Sequence, residues 1–377
     1  MDPIARDLTK WIPTLLDVWR AFRKGGAGAV GAPEDRLLPN EQREVAAAVR
    51  ALSKGLTGER LLSGSRYMDD PKLLGGYLLF YWPISYAQAR YALRALGERP
   101  RGVLDLGSGP APMAFAALDG GAREVVAADR SEAALELARA LAAHRGEALS
   151  IRVWKAANQP IPDGRFSLIT ASHLINELWT GQLDAIPRRT GLIERAFEHL
   201  EPNGRALILE PALRETSRGL LEVRDLLLGR GIVPLSPCLY RDACPALSKE
   251  TDWCHAEIPW EPPRLVADLA RAAGLHKEAL KMTALLLARS SEARPCPTDG
   301  DNLFRIVSEP LASKGRQRFM GCGPRGRVGL SLQTKHISES NARFARLQRG
   351  DLVRIEGFEE KGDGLALLPD SRVEFVR

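Results

Sequence analysis

Three groups of side chains in this sequence have the types and spacing for chemistry. The first is Asp105 with the turn Gly107-Ser108-Gly109-Pro110 inside RGVLDLGSGPAP (101–112), joined by Asp129, 24 residues after Asp105. The second is Ser172-His173-Leu174-Ile175-Asn176-Glu177, and the third is the cysteines Cys238, Cys244, Cys254 and Cys296. Glycines let a backbone pass close to a ligand with no Cβ in the way. An acid at the end of the following strand can accept both hydroxyls of a ribose. Together they point to a nucleoside held at the carboxyl ends of parallel strands.

The turn discriminates between nucleosides. Ala111 falls two positions after Gly109, not three, so the GxGxxG spacing of a pyrophosphate loop is missing, and Pro110 lacks the N–H that a phosphate would use. S-adenosylmethionine has no phosphate to cradle. It needs close backbone approach for its methionine half, an acid for its ribose and a polar group beside its adenine. Asp105, Gly107, Ser108, Gly109, Pro110 and Asp129 supply the first two, Asn158 the third, and Ser172 follows the fourth strand beside them.

Methyl transfer from a sulfonium is an in-line displacement that positioning alone can accelerate. His173, Asn176 and Glu177 are the polar side chains expected near the methyl, and so the candidate catalytic residues; His173 serves equally as a general base or as an orienting group for the next helix. The loop lacks the Asn/Asp-Pro-Pro-aromatic pattern of base amino-methylases, and no cysteine nucleophile falls at strand four or five. Cofactor binding is better supported than turnover.

The cysteines are spaced Cys238-x5-Cys244-x9-Cys254, with Cys296 distant. No pair has the short knuckle spacing of structural zinc sites. Cys244-Pro245 and Cys296-Pro297 carry the Cys-Pro step common at iron–sulfur ligands. An iron–sulfur cluster, zinc and unliganded thiols all remain open on spacing, and disulfides are not expected without an oxidising compartment. Cys322 is left over as a packed or surface thiol, and His255 reads as a neighbour of the site.

These groups need elements to position them. Residues 1–96 read as helical, with a stripe at Ile4, Leu8, Trp11, Leu15, Val18 and Phe22 that Pro13 must kink or divide. Tyr67, Tyr77, Tyr81, Trp82, Tyr86 and Tyr91 read as packing between helices, or in part as a lid. Residues 97–310 read as an α/β core with strands at Gly102–Leu106, Glu124–Ala128, Leu149–Val153, Phe166–Ala171 and Ala206–Glu210. A cysteine-rich metal-binding insert covers 229–262. Leu280–Ala288 and Leu303–Ser308 are expected to form the antiparallel hairpin that completes a seven-stranded sheet. Residues 311–377 read as a small barrel-type β-domain whose stretch 314–349 carries nine lysines and arginines against Glu339 alone, the footprint of phosphate contacts.

The runs VLDLGSGPAP, FSLITASHLINEL (166–178) and GRALILEPALRETSRGLLEVRDLLL (204–228), with Asp129 and the cysteines, resemble the methyltransferase-like proteins of the mitochondrial small ribosomal subunit and their bacterial relatives, over 67–310. The resemblance implies a class I S-adenosylmethionine-dependent methyltransferase fold (a Rossmann-like seven-stranded sheet), adenosylmethionine binding, and association with the small ribosomal subunit or its rRNA during assembly. It also implies a 4Fe-4S cluster on Cys238, Cys244, Cys254 and Cys296.

Composition sets the outer limits. The chain has 377 residues, 45% of them hydrophobic, and a net charge of +6, enough for one large core or two and a mild preference for anionic partners. No apolar run approaches the roughly 20 residues of a membrane helix, and Asp2 and Asp7 stand where a signal or transit peptide would be basic. A cytoplasmic protein, monomeric when free and with no membrane partner, is expected. Two functional readings are left, an rRNA methyltransferase and an assembly factor that binds the cofactor and a cluster without turnover. A small-molecule methyltransferase without RNA binding is the alternative.

Overall fold

The computed structural model describes residues 2–23, 33–293, 295, 297–311 and 313–376. Its first layer is helical: α1 (Pro3–Arg23), α2 (Pro39–Ser53), α3 (Pro71–Gly76) and α4 (Trp82–Leu93). Pro13 sits within α1 without ending it. The stripe Ile4, Leu8, Trp11 and Leu15 is buried, which outweighs the backbone hydrogen bond that proline forfeits. Trp11 Nε1 donates to Asp119 Oδ2 at 2.8 Å and the Tyr86 hydroxyl donates to the same oxygen at 2.6 Å. These two bonds fasten the helical layer to the α/β part of the chain.

That part runs β1 (Gly102–Leu106), α5 (Pro112–Asp119), β2 (Glu124–Asp129), α6 (Glu132–Arg145), β3 (Ser150–Val153), β4 (Phe166–Ser172), α7 (Ala185–Glu198), β5 (Leu200–Pro211), α8 (Arg214–Leu228), β6 (Ile232–Ser236), β7 (Ala256–Pro259), α9 (Arg264–Ala273) and β8 (Ala279–Arg289). The sheet order is β3-β2-β1-β4-β5-β8-β6, with β7 also paired to β8. The first five strands are parallel and β8 is antiparallel to its neighbours. This is a mostly parallel α/β sheet with helices on both faces, the fold class expected from the sequence. Period-two burial explains its two layers. Val103, Ala127, Leu168 and Leu207 pack with α1, α4, α5, α6 and α9, while Leu104, Ala128, Ile169 and Ile208 pack with α7 and α8.

One expectation fails here. The hairpin of Leu280–Ala288 with Leu303–Ser308 does not form: β8 pairs instead with β5, β6 and β7, and Leu303–Ile306 leaves the sheet altogether. The segment 229–262 supplies β6 and β7, which both pair with β8, on either side of the cysteine loop. Pro234 and Pro237 hide β6 from a pattern reading, because prolines in a run argue against a strand except at an edge, which is where β6 lies.

The departing segment is β9 (Leu303–Ile306), the first strand of a closed barrel with β10 (Arg316–Gly323), β11 (Gly326–Gln333), β12 (Leu352–Lys361) and β13 (Gly364–Phe375), in the order β10-β11-β13-β12-β9. Phe304, Ile306, Phe319, Leu330, Phe344 and Val353 fill it. Closure removes the open edges that four strands alone would leave. Among the described residues no helix is long and apolar enough to cross a membrane.

Candidate functional site

A cavity of about 350 Å³ lies at the carboxyl ends of β1, β2 and β4, within the range of small-molecule sites. The turn after β1 makes its floor. Gly107 and Ser108 N–H groups donate to Ala128 O at 2.8 and 3.1 Å, and Trp82 Nε1 donates to Pro110 O at 2.9 Å. Gly107 has φ +67°, and a Cβ there would stand 2.7 Å from Leu174, so only glycine fits.

Asp129 lines the cavity. One carboxylate oxygen accepts from Gly109 N–H and the other from Ser131 N–H, both at 2.8 Å. A carboxylate has about four acceptor positions, so acceptor capacity stays available for a ribose hydroxyl. Burial pushes its pKa up, and the Ser131 and Gly109 N–H groups, with the charge and N–H of Arg130, draw it back. Gly107, Ser172 and Asn158 also line the cavity, Asn158 at its exposed rim, beside Trp154 and Ala156. Asp105, Ser108, Gly109 and Pro110 are not in the lining. Asp105 is fully buried, accepts from Thr170 Oγ1 at 2.7 Å, and is pushed up to about 7 by burial. Its role is to join β1 to β4 beneath the floor.

A strap, residues 64–69, covers the opening. Arg130 donates to the carbonyls of Gly64 and Ser65, and Ser131 Oγ donates to Asp69 Oδ1 at 2.9 Å while capping α6. On the far side, the Tyr67 hydroxyl and the Gly64 N–H donate to the two oxygens of Glu177, each at 3.4 Å. Of the aromatics from the helical region, Tyr67 and Tyr77 line the cavity, whereas Trp82 and Tyr86, one turn apart on α4, stack on each other at 5.3 Å and meet Trp11 of α1.

The three candidate catalytic residues fare differently. His173 lines the cavity with φ +57°, its Nε2 lies 3.1 Å from Gln88 Oε1, and burial brings its pKa down to about 4. Such a ring is neutral at pH 7 and a weak base. Glu177 lines the cavity too but is occupied by the strap, and burial raises it to about 7. Asn176 is absent from the lining. Its backbone N–H and Nδ2 donate to the two oxygens of Glu210, at 3.2 and 2.5 Å, and its Oδ1 accepts from Arg60 at 3.0 Å. Glu210, buried at the end of β5 and raised to about 8 by burial, is a residue that sequence reasoning missed. Its acidity at a predicted strand end, like that of Asp129, was the available signal.

The cysteine loop between β6 and β7 lies against the barrel. Arg224 on α8, 1% exposed, donates to the carbonyls of Tyr240 and Asp242, and Asp225 accepts from Cys244 N–H at 2.8 Å. Arg327 on β11 pairs with Asp252 at 3.1 Å, and Arg305 on β9 donates to Pro237 O at 3.4 Å. Cys322, opposite Arg327 and Arg305 in the barrel ladders, thus comes to the loop. Burial pushes the thiols of Cys238, Cys254 and Cys322 up to about 12; Cys244 and Cys254 add to Cys238, Cys322 and Cys244 to Cys254, and Cys238 and Cys244 to Cys322. Cys296, the expected fourth member, lies outside the described residues. Among the described residues no three His, Cys, Asp or Glu side chains are grouped to hold a metal ion. Two buried donors without partners, Arg224 Nε and Arg327 Nε, belong to the arginines that act on these thiols. Sequence reading passed over Cys322 because it lacks a nearby partner cysteine; its setting in the tight run Gly321-Cys322-Gly323-Pro324 was the one signal.

The family model of mitochondrial small ribosomal subunit Rsm22 matches residues 75–354 of the chain. Solved structures similar to it include ribosomal protein L11 methylase from Lactobacillus delbrueckii subsp. bulgaricus, 19% identical over 54% of this chain and 78% of that one, TM-score 0.34. TrmN from Thermus thermophilus is 20% identical over 56% and 53%, TM-score 0.35. The CcbJ methyltransferase from Streptomyces caelestis is 25% identical over 32% and 51%, TM-score 0.28. No curated protein matches the sequence.

Proposed function

The chain belongs to the methyltransferase-like family of mitochondrial small ribosomal subunit Rsm22, and from that premise we propose that it binds S-adenosylmethionine and acts on the small ribosomal subunit or its rRNA as an assembly factor. The observation that carries the cofactor reading is Asp129, lining a cavity at the strand ends with acceptor capacity available for a ribose hydroxyl. Gly107 admits a ligand to the backbone, Asn158 stands at the rim for an adenine edge, and the strap lines the side facing Asp129 and Glu177. When bound, the cofactor supplies an electrophilic methyl group. The residues around it offer little acid–base help, since His173 is a weak base, Glu177 holds the strap and Asn176 is committed to Glu210. That favours binding over turnover.

Cys238, Cys244, Cys254 and Cys296 are the thiols that this reading assigns to an iron–sulfur cluster, with zinc as the alternative. Cys238, Cys244 and Cys254 are half-buried beside arginines, a setting that suits an anionic group. Among the described residues no three such side chains are grouped to hold a metal ion, and Cys296 lies outside those residues. Such a cluster would fasten the cysteine loop to the segment between β8 and β9.

Titration calorimetry with S-adenosylmethionine tests the cofactor reading. Hydrogen bonds to a charged group contribute about 1.5–3 kcal/mol each, so Asp129→Ala should weaken binding by at least about tenfold, and an unchanged affinity would refute the assignment. Labelled methyl transfer to immature small subunits then separates the two roles: binding without labelling of RNA ends the enzyme reading.

A further inference from the structure

A groove of about 500 Å³ runs over the outer face of β10, β11 and β13. The barrel ladders define it. Phe319 points into the barrel core, so Arg316, Arg318 and Met320 alternate outward with it along β10. Arg318 is registered with Ser331 on β11 and Ser331 with Ala366 on β13; Met320 is registered with Gly329, and Gly329 with Gly364. The floor is therefore built from small residues, and at Gly329 a Cβ would meet nothing within 4 Å.

The rim is cationic. Arg316 and Arg318 line one side, Lys361 lies at the β12–β13 turn, and Lys249 reaches in from the cysteine loop. Glu359 and Asp363 are the acids in the lining, and Arg327 is already paired with Asp252. Among the described residues no carboxylate pairs with Arg316, Arg318, Lys361 or Lys249, in contrast to Arg325 with Glu360 and Arg349 with Glu309. Unpaired cations over an open floor attract a polyanion.

We propose that this groove holds the sugar–phosphate backbone of single-stranded RNA, with Arg316 and Arg318 on neighbouring phosphates. Residues two apart on a strand are about 6.7 Å apart, a spacing that adjacent phosphates of an extended strand can match. Among the described residues no Phe, Tyr or Trp lines the groove, so it lacks the stacking platform of base-binding sites. Recognition is of backbone charge and is independent of sequence. The inference rests on the RNA reading above and adds the face and the chemistry of contact.

The test is binding of the full-length protein to a labelled mixed-sequence RNA oligonucleotide across a salt series. Each phosphate contact with a single strand contributes about 0.7 to the slope of log K against log salt. Arg316→Gln with Arg318→Gln should lower that slope by about 1.4, and Ser331→Glu, which keeps both arginines, should weaken binding at low salt. Arg264→Gln with Arg271→Gln on α9, an equal change in net charge far from the groove, should leave the slope as it is. If the groove variants keep the full slope while Arg343→Gln with Arg346→Gln lose it, the groove is wrong and RNA binding stands. If the unmodified protein has no salt-dependent affinity for the oligonucleotide, both readings fall. S-adenosylmethionine binding by each variant reports that the fold is intact.

Discussion

Glu210 and Asn176 show how a polar pair deep in the fold sets the floor of a site. Glu210 is fully buried, and both of its oxygens accept hydrogen bonds from Asn176, which fixes the turn carrying His173 at positive φ. Burial raises the Glu210 carboxyl to about 8 from an ordinary value of 4.5. A carboxyl raised in the fold binds its proton more tightly there than in the unfolded chain, so its contribution is full below about pH 4.5 and is lost as pH rises through about 8. Glu210→Gln should flatten the fall in melting temperature between pH 5 and pH 8 by an amount equivalent to at most a few kcal/mol. A variant whose pH dependence matches the parent protein's would show that Glu210 is ionised in the fold. At this scale the sequence was readable where a residue type has one chemical use. Asp129 and Gly107 were read as ligand-facing and both line the cavity; Asn176 was read as facing the methyl but turns to Glu210, a partner 34 residues away and invisible to local pattern.

Elements make the cysteine site. Strand β10 carries Cys322 to the loop between β6 and β7, and the β10–β11 hairpin holds Arg327 beside it. Cys238→Ser or Cys296→Ser should remove iron and the broad visible absorption from anaerobically purified protein. Iron kept by Cys296→Ser and lost by Cys322→Ser would make Cys322 the fourth ligand instead. A colourless protein with one zinc per chain would dismiss the cluster itself. The strands of the sheet interior were legible because strands buried on both faces read as apolar runs; Gly102–Leu106 was located to the residue. What escaped was pairing. β8 and β9 are close in sequence and look like a hairpin, but their partners are set by the packing of α9 and by closure of the barrel, which are long-range choices.

At the scale of the whole molecule, sheet and barrel meet at the cysteine loop. The cysteine loop supplies Asp252 to Arg327, Pro237 O to Arg305 and Lys249 to the rim of the barrel groove. Arg218 on α8 holds the same loop by donating to the carbonyls of Ala246, Lys249 and Asp252 at 2.7 to 3.1 Å. Loop, barrel and groove are therefore mechanically linked: order in the loop sets where Lys249 stands against Arg316 and Arg318. Most of the loop has little apolar surface to bury, so a bound metal group would contribute much of its order. Removing metal with a chelator, or making Cys238→Ser, should raise hydrogen exchange over 235–260 and reduce RNA affinity together, while S-adenosylmethionine binding at the distant cavity holds. Exchange that rises with RNA affinity unchanged would mean that the barrel binds RNA without the loop, and that the junction serves only to fix the barrel on the sheet. Unchanged exchange would mean that the arginine contacts to the loop carbonyls suffice, since Arg218 and Arg224 hold it without metal.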